Sequence, residues 1–252
     1  MSWFIYYVLK IQLYLSMSYT YDYLELRREN VMLPEGFIYL ETIDPSIIQD
    51  IRYASSNNFL GTPVQGYNAP VCITQLKIAQ SLQKVQQKLA EKRMTLVIFD
   101  AYRPQRAVNH FVEWANNTDD QKMKKEYYPD IDKSQVFELG YIAKRSQHSR
   151  GCAVDLSIAA QNADGGYVLL DMGSPFDFFD DTSHTMNPNI SDTAKKHRAF
   201  LLSMMAEAGF QNYSKEWWHF WYADELYPDT YFDFPIEAPD DSIKRDFKVA
   251  TL

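Results

Sequence analysis

The stretch SQHSRGCAVDLS, residues 146–157, contains two side chains of the types that bind zinc. His148 precedes a glycine-containing turn, and Asp155 lies in the apolar segment that follows. Neither one helical turn nor one straight strand brings residues at this spacing together, but a bend at Gly151 does. Alone the pattern is weak, because an isolated histidine near a loop more often forms an ordinary hydrogen bond. A metal site needs a second element.

That second element is EWWH, Glu216–His219, whose carboxylate and imidazole flank two large aromatic rings. The run WWHFWY, residues 217–222, is too apolar for a loop and predicts a buried strand. Removing an unpaired charge from water is costly, so polar side chains in such a strand are expected to be paired, neutral or bound to a metal. A core histidine that donates to a backbone carbonyl, with Glu216 pointing to water, stays open as the alternative.

His148, Asp155 and His219 together supply three protein ligands and leave a fourth tetrahedral position for water, as in catalytic zinc sites. Zinc lowers the pKa of such a water to about 7. Glu216, outside the ligand set, then has the role of general base and passes the proton to the leaving amine. The pattern predicts a zinc metallopeptidase with one ion per chain.

A third stretch, FDAYRPQR (residues 99–106), places Arg103 between a predicted strand and a predicted helix. Turns of this kind commonly present functional side chains. An arginine here can stabilise the oxyanion of a tetrahedral intermediate, an effect worth about 3 to 4 kcal/mol for one well-placed donor. The alternative is an arginine that simply pairs with Asp100 or another carboxylate.

Several short elements would position these residues. Hydrophobic periodicity, capping residues and turn residues predict helices over 74–93, 104–116 and 191–209, strands over 95–99, 153–158 and 167–170, and a long loop over 119–144. Helices and strands mix without a regular βαβ rhythm. This mixture predicts the α+β fold class.

Charge and length narrow the classes of protein. The 252-residue chain carries 25 Lys and Arg against 33 Asp and Glu, a formal net charge of −8 with histidine neutral. That balance argues against a nucleic-acid-binding protein and against electrostatic attachment to an anionic membrane. No repeat or linker divides the chain. We predict one domain over residues 33–235, after an N-terminal extension (1–32) and before a polar C-terminal tail (236–252).

The N-terminal extension bears on the location of the protein. Residues 3–17 are largely apolar, but a lysine and a glutamine interrupt the run, which is too short to span a bilayer. No Lys or Arg precedes it and no A-x-A-like cleavage site follows it. We predict a cytoplasmic protein; a periplasmic or secreted one, exported through residues 1 to 20, is the alternative. Cys72 and Cys152 leave both a disulfide and two free thiols open.

The motifs DAYRPQRAV, SQHSRGCAVDL and EWWH resemble those of the VanX-type D-alanyl-D-alanine dipeptidases, zinc D,D-peptidases with a Hedgehog-like α+β fold. The segments IRYASSNNFLGTPVQGY, EYYPDID, DMGSPFDFFDD and YPDTYFDFP match in order and spacing as well. The likeness covers residues 40–235. It implies a single domain with a central, mostly antiparallel sheet, flanking helices, and the small dipeptide D-alanyl-D-alanine as substrate.

The resemblance implies the catalytic set that the residues themselves suggest: His148, Asp155 and His219 as zinc ligands, Glu216 as base and Arg103 as stabiliser of the intermediate. It also implies a substrate pocket in which Asp177 binds the free ammonium group, helped by Tyr53 and Ser146. Without the resemblance, we would predict that Asp177 is a solvated carboxylate and that Tyr53 is a core residue.

Gln147 departs from the family pattern, which has a small residue beside the first zinc ligand, and bears on fine specificity. A related function on the same fold is a D,D- or L,D-carboxypeptidase that acts on longer peptidoglycan peptides and needs an open groove on the amino side of the substrate. A third is a zinc-binding module that has lost catalysis, against which an intact Glu216 and Arg103 argue. A dipeptidase of this type would serve cell-wall turnover, nutrition or glycopeptide resistance.

Overall fold

A mixed sheet lies at the centre of the computed structural model, which describes residues 33–239; the predictions for residues 1–32 and 240–252 lie outside this range. The strands are β1 (Phe37–Tyr39), β2 (Ile48–Gln49), β3 (Ile73–Gln75), β4 (Met94–Asp100), β5 (Ala153–Gln161), β6 (Tyr167–Leu169), β7 (Phe210–Asn212) and β8 (His219–Tyr222). The α-helices are α1 (Leu40–Ile43), α2 (Leu76–Ala90), α3 (Gln105–Asn116), α4 (Lys124–Tyr127) and α5 (Asp192–Glu207).

The main sheet has six strands in the order β2-β4-β5-β8-β7, with β6 paired to the far end of β5. Strand β2 runs parallel to β4, and the other pairs in this sheet are antiparallel. Strands β1 and β3 form a separate antiparallel pair. The mostly antiparallel sheet with flanking helices confirms the predicted α+β fold.

Strand β5 is the structural centre because it lies between β4 and β8. Its first seven residues are all buried, as are the last six of β4. A strand that is covered on both faces has a continuous run of apolar residues in its sequence. For this reason both strands could be predicted from the sequence. The same burial means that Asp155, 2% exposed within β5, requires polar partners.

The helices and the hairpin predicted from the sequence are present, with ends displaced by a few residues. The side chain of Ser191 accepts a hydrogen bond from the N–H of Ala194 and so caps α5. The long loop predicted over 119–144 contains the single turn α4 and a 3₁₀ turn at Lys133–Gln135. No helix within residues 33–239 is long and apolar enough to cross a membrane.

The strand predicted over 217–222 is shorter than expected. Strand β8 begins at His219, and the two tryptophans before it lie in a turn closed by a 3.3 Å hydrogen bond from the His219 N–H to the Glu216 carbonyl. Trp217 and Trp218 are only 3% and 2% exposed. Their indole rings are buried although the backbone that carries them forms a turn. Burial of an aromatic run therefore does not require an extended backbone.

The predicted domain boundary at residue 235 stays a prediction. Residues Gly36–Ala238 form one compact unit. Ile236 is 1% exposed, its N–H donates to the Gly66 carbonyl, and its own carbonyl accepts from Asn68 and Ala69. The chain is therefore tied to the domain through this residue. Cys72 and Cys152 are both buried and free, which decides between the two alternatives that the sequence left open.

Gly151 provides a test of how the turn before β5 is built. It has φ +73°, and a Cβ there would overlap the ring of Phe37. We expect Gly151→Ala to lower the free energy of unfolding by about 1 to 2 kcal/mol for the left-handed backbone and by about 1 to 3 kcal/mol more for overpacking.

The matched control is Gly165→Ala, because Gly165 has φ +85° and nothing within 4 Å of a built Cβ. The free energy of unfolding of Gly165→Ala should fall only by about 1 to 2 kcal/mol, the cost of the left-handed backbone. Urea denaturation of both variants measures the difference. Equal losses would mean that Phe37 moves aside at no cost, contrary to the packing argument.

Candidate active site

Three neighbouring strands bring polar residues into one row. The register of the sheet pairs Asp100 of β4 with Asp155 of β5, and Asp155 with His219 of β8. A 3₁₀ turn at Gln147–Arg150, which precedes β5, carries His148. The side chain of Ser146 accepts the His148 N–H at 3.2 Å and caps this turn. Gly151 ends the turn in the left-handed conformation, which is the bend that the sequence predicted.

His148, Asp155 and His219 converge with their ligand atoms within 4.8 Å of one another. His219 Nδ1 lies 2.9 Å from Asp155 Oδ1 and 3.1 Å from His148 Nε2. His148 Nε2 lies 3.3 Å from the other carboxylate oxygen, Asp155 Oδ2. Two imidazole nitrogens and a carboxylate, all buried, form a donor set that suits a divalent ion such as zinc.

The ring of His148 is fixed by a backbone acceptor. Its Nδ1 lies 2.6 Å from the carbonyl oxygen of Ala101. A carbonyl can only accept, so Nδ1 carries the proton and Nε2 presents a lone pair toward Asp155 and His219. This is the tautomer that a metal ligand at Nε2 needs.

The charges of the triad reinforce one another. Burial acts to raise the pKa of Asp155, but interactions with His148 and His219 outweigh burial and hold that pKa well below its usual range. Burial acts to lower the pKa of His219, yet its hydrogen bond to Asp155 and the charge of that carboxylate raise the pKa instead. The negative charge of Asp155 thus favours positive charge at this place, which a divalent cation would supply.

Arg103 extends the row on the side of β4. Its Nε donates to Asp100 Oδ2 at 2.8 Å, and its Nη2 lies 3.4 Å from Asp155 Oδ2. Burial acts to lower the pKa of Arg103, but the charge of Asp100, together with Tyr53, Tyr67 and Asp155, outweighs burial and holds the pKa well above its usual value. The pairing with Asp100 that the sequence offered as an alternative is present. It orients the guanidinium beside the triad.

Asp100 is a residue of this site that the sequence argument missed as a partner of the triad. It is fully buried and accepts hydrogen bonds from Tyr67 at 2.6 Å and from Arg103 at 2.8 Å. His148 Nδ1 also lies 3.5 Å from Asp100 Oδ2. Its place at the end of an apolar strand was the available signal, because a carboxylate there needs such partners.

Glu216 lies beside the triad at the start of the turn before β8. Its Oε2 lies 4.0 Å from His219 Nδ1. The amide of Asn212 donates to the carbonyls of Glu216 and His219, both at 3.0 Å, and so holds the turn. Burial raises the pKa of Glu216 to about 7; the neighbouring His219 opposes this rise, and the charge of Asp155 adds to it. Such a carboxylate can both accept and release a proton near neutral pH.

Asp177 is buried, not solvated as its residue type and neighbours suggest. It is 6% exposed, and its Oδ2 accepts a 2.8 Å hydrogen bond from the hydroxyl of Tyr53, which is 1% exposed. Burial, together with the charge of Asp155, raises the pKa of Asp177 well above its usual range. A buried carboxylate with one neutral partner is suited to receive a cation.

The loop that carries Asp177 is anchored by a buried arginine on α5. Arg198 donates to the carbonyls of Met172 at 2.6 Å, His184 at 2.7 Å and Thr182 at 2.8 Å. These carbonyls lie on both sides of Asp177, whose own backbone has φ +60°. This anchor could not be predicted from residue type, because an arginine in an amphipathic helix usually faces water.

One cavity of about 230 Å³ joins these residues. Every residue predicted for the site lines it: Tyr53, Arg103, Ser146, His148, Asp155, Asp177, Glu216 and His219. Aromatic side chains complete its wall, among them Phe59, Phe111 and Phe179. The arrangement places three possible metal ligands, a carboxylate with a pKa of about 7, a guanidinium group and a second buried carboxylate within one small volume.

Comparison with known proteins agrees with this arrangement. Residues 34–237 match a family model described as D-ala-D-ala dipeptidase. A D-alanyl-D-alanine dipeptidase from Enterococcus faecium is 41% identical over 202 residues, 80% of this chain and 98% of that protein. One from Enterococcus faecalis is 38% identical over 81% of this chain and 100% of that protein.

A third, from Streptomyces coelicolor, is 36% identical over 79% of this chain and 98% of that protein. All three likenesses extend over almost the whole length of the relatives. The family match covers the cavity residues. The chain therefore belongs to the D-Ala-D-Ala dipeptidase family of peptidases.

Proposed function

We propose that this protein hydrolyses the dipeptide D-alanyl-D-alanine with one zinc ion held by His148, Asp155 and His219. The observation that carries the proposal is the shared cavity, in which this triad and Glu216 lie together with the buried carboxylate of Asp177. The names of the relatives support the choice of substrate. The chemistry of the donor set supports the choice of ion.

When bound, the ion polarises the peptide carbonyl and lowers the pKa of a water molecule to about 7. Glu216 accepts a proton from the attacking water on its carboxylate and delivers that proton to the nitrogen of the leaving D-alanine. Its pKa of about 7 suits both steps, because neither protonation state is strongly favoured at neutral pH. Burial of this carboxylate is thus part of its function.

Arg103 stabilises the negative charge that develops on the carbonyl oxygen during attack. Its guanidinium is held at 2.8 Å by Asp100 and so does not need to reorganise when that charge appears. Preorganised donors of this kind are worth about 3 to 4 kcal/mol. The positive charge of Arg103 also offsets the two buried carboxylates of the row.

Asp177 gives the site its preference for a free amino terminus. An ammonium group that enters the cavity meets the Asp177 carboxylate, which Tyr53 orients by its 2.8 Å hydrogen bond. A longer peptide has a neutral amide at that position and leaves the buried carboxylate unpaired. We therefore expect a dipeptidase and not a carboxypeptidase.

The direct test is release of D-alanine by zinc-loaded protein. D-alanyl-D-alanine should be hydrolysed. For a pentapeptide that ends in D-alanyl-D-alanine, kcat/KM should be at least tenfold lower. Comparable rates on both peptides would favour the carboxypeptidase function. No alanine release from the dipeptide would contradict the proposed substrate.

Asp177→Asn tests the selectivity argument with a nearly isosteric change. Removing one partner of a buried charge pair costs about 2 kcal/mol or more, so kcat/KM for the dipeptide should fall by about 30-fold or more, chiefly through KM. The activity on the pentapeptide should change little, because that substrate makes no ion pair with Asp177.

The stability of Asp177→Asn excludes unfolding as the cause of such a loss. Because the folded-state pKa of Asp177 is raised, ionisation of the unfolded chain opposes folding above about pH 4, the ordinary pKa of aspartate. The variant should therefore be more stable than the parent at pH 7, and this gain should disappear as the pH falls toward about 4. A variant that is less stable at pH 7 would contradict the assignment of Asp177 as a costly buried acid.

A further inference from the structure

The side chain of Gln147 lies against the second histidine of the triad. Its amide oxygen Oε1 is 3.3 Å from Nε2 of His219, the ring nitrogen that faces away from the triad. We propose that Gln147 is a positioning residue, which orients the His219 ring and so strengthens the binding of the divalent ion. This inference rests on the proposed zinc site and deepens it.

The argument begins with the tautomer of His219. An amide oxygen can only accept a hydrogen bond, so it selects the form in which Nε2 carries the proton. A neutral imidazole has a single N–H, and Nδ1 is then left with its lone pair. Nδ1 is the atom that faces Asp155 Oδ1 at 2.9 Å and His148 Nε2 at 3.1 Å. When Nδ1 binds the ion, the ring has its one N–H at Nε2, and the Gln147 oxygen is placed to accept it.

The opposite orientation of the Gln147 amide does not fit a metal site. An amide NH₂ group aimed at His219 would require a lone pair on Nε2 and a proton on Nδ1. That proton would point into the triad, where an ion must be bound. The acceptor orientation of Gln147 is therefore the one that is consistent with His219 as a ligand through Nδ1.

The two histidines of the triad differ in how their outer nitrogens are satisfied. His148 Nδ1 uses the backbone carbonyl of Ala101 at 2.6 Å, an acceptor that no side-chain substitution removes. His219 uses a side chain, and it is also the less buried of the two, with 11% side-chain exposure against 2% for His148. The orientation of His219 is the adjustable part of the triad. Outer partners of this kind contribute about tenfold to a hundredfold to metal affinity.

The local backbone keeps Gln147 in place. It is the first residue of the 3₁₀ turn at Gln147–Arg150, and its carbonyl oxygen accepts the N–H of Cys152 at 3.4 Å. The same turn carries His148. One short segment thus supplies one ligand of the triad and orients another, although His219 is 72 residues away in the sequence.

A zinc titration of the metal-free protein against a competing chelator tests the inference. Gln147→Met keeps the length of the side chain and removes the acceptor, so the zinc Kd should rise by about tenfold to a hundredfold. Gln147→Glu keeps an acceptor, so its Kd should be no higher than that of the parent. Gln135→Met, the same change at an exposed position of another 3₁₀ turn, should leave the Kd unchanged.

Nitrogen-15 NMR of the histidine rings gives a second readout that does not depend on added charge. In the zinc-loaded parent and in zinc-loaded Gln147→Glu, the Nε2 proton of His219 should be hydrogen-bonded and exchange slowly with water. In zinc-loaded Gln147→Met, that proton has lost its acceptor and should exchange faster. This comparison is needed because the extra negative charge of Gln147→Glu by itself favours a cation.

The outcomes separate the inference from the proposal beneath it. An unchanged zinc Kd and an unchanged exchange rate of the His219 Nε2 proton in Gln147→Met would overturn the positioning role and leave the zinc site standing. A raised KM for the dipeptide with an unchanged zinc Kd would place Gln147 among the substrate contacts, which also overturns it. Failure of the unmodified protein to take up zinc would overturn the proposed function, and the positioning role with it.

Discussion

Glu216→Gln should lower turnover of D-alanyl-D-alanine by at least about a hundredfold while leaving the zinc content at one ion per chain. The amide has the shape of the carboxylate but cannot accept a proton from the attacking water, and loss of a general base typically costs a hundredfold to ten-thousandfold, as an order of magnitude. Glu216 lies 4.0 Å from His219 Nδ1 and outside the triad that holds the ion. Turnover and zinc stoichiometry are therefore expected to separate.

The measurement is kcat together with the metal content of the purified protein. Both parameters, kcat and kcat/KM, should fall to a similar extent, because proton transfer contributes to the transition state and not to binding of the dipeptide. Glu225→Gln is a matched control, since Glu225 is a partly buried carboxylate that pairs with Arg150 at 2.7 Å. Near-normal turnover in Glu216→Gln would remove the role proposed for this residue.

Much of the architecture could be predicted because its signals are local. Strand β5 is apolar on both faces, helix α5 begins at a serine cap, and a glycine turn joins β5 to β6. Each of these elements is specified by a few neighbouring residues. The error at residues 217–222 has a physical cause. Indole rings reach the core from a turn as well as from a strand, so their burial carries no information about the backbone.

The site was only partly accessible to the same reasoning. Metal-binding side chains reveal themselves by type, and His148, Asp155 and His219 do come together. The role of Asp177 cannot be recognised from its residue type. Its burial results from a hydrogen bond to Tyr53, 124 residues away, and from the anchoring of its loop by Arg198. Long-range contacts of this kind leave no periodic pattern in the sequence. The resemblance to a known family supplied what residue types could not.

The two interpretations of Arg103 were not true alternatives. An arginine that pairs with Asp100 is also an arginine held beside Asp155, since the register of β4 and β5 places the two carboxylates opposite each other. The pairing with Asp100 holds the guanidinium where the proposed catalytic role requires it. A catalytic role and a structural role for one side chain are thus consistent.

His219→Ala should abolish zinc binding in the range where the parent is saturated. The loss of zinc affinity should exceed the change of about tenfold to a hundredfold that is expected when only an outer partner of a ligand is removed. The reason is that only one imidazole and one carboxylate of the triad remain in the variant. Zinc at about a thousand times the Kd stabilises a folded protein by about 4 kcal/mol. That zinc-dependent gain in the free energy of unfolding should be present in the parent and absent in His219→Ala.

Comparing thermal unfolding with and without zinc separates loss of a ligand from general damage. His184→Ala is the matched control, because His184 is a partly exposed histidine that lies 3.5 Å from Asp181 at the surface, and it should keep the full zinc-dependent gain. Metal-free His219→Ala should still unfold cooperatively, since Asp155 retains His148 at 3.3 Å. If His219→Ala keeps the zinc-dependent stabilisation, the ion binds elsewhere, and the three side chains gathered from β5, β8 and the turn before β5 are not its ligands.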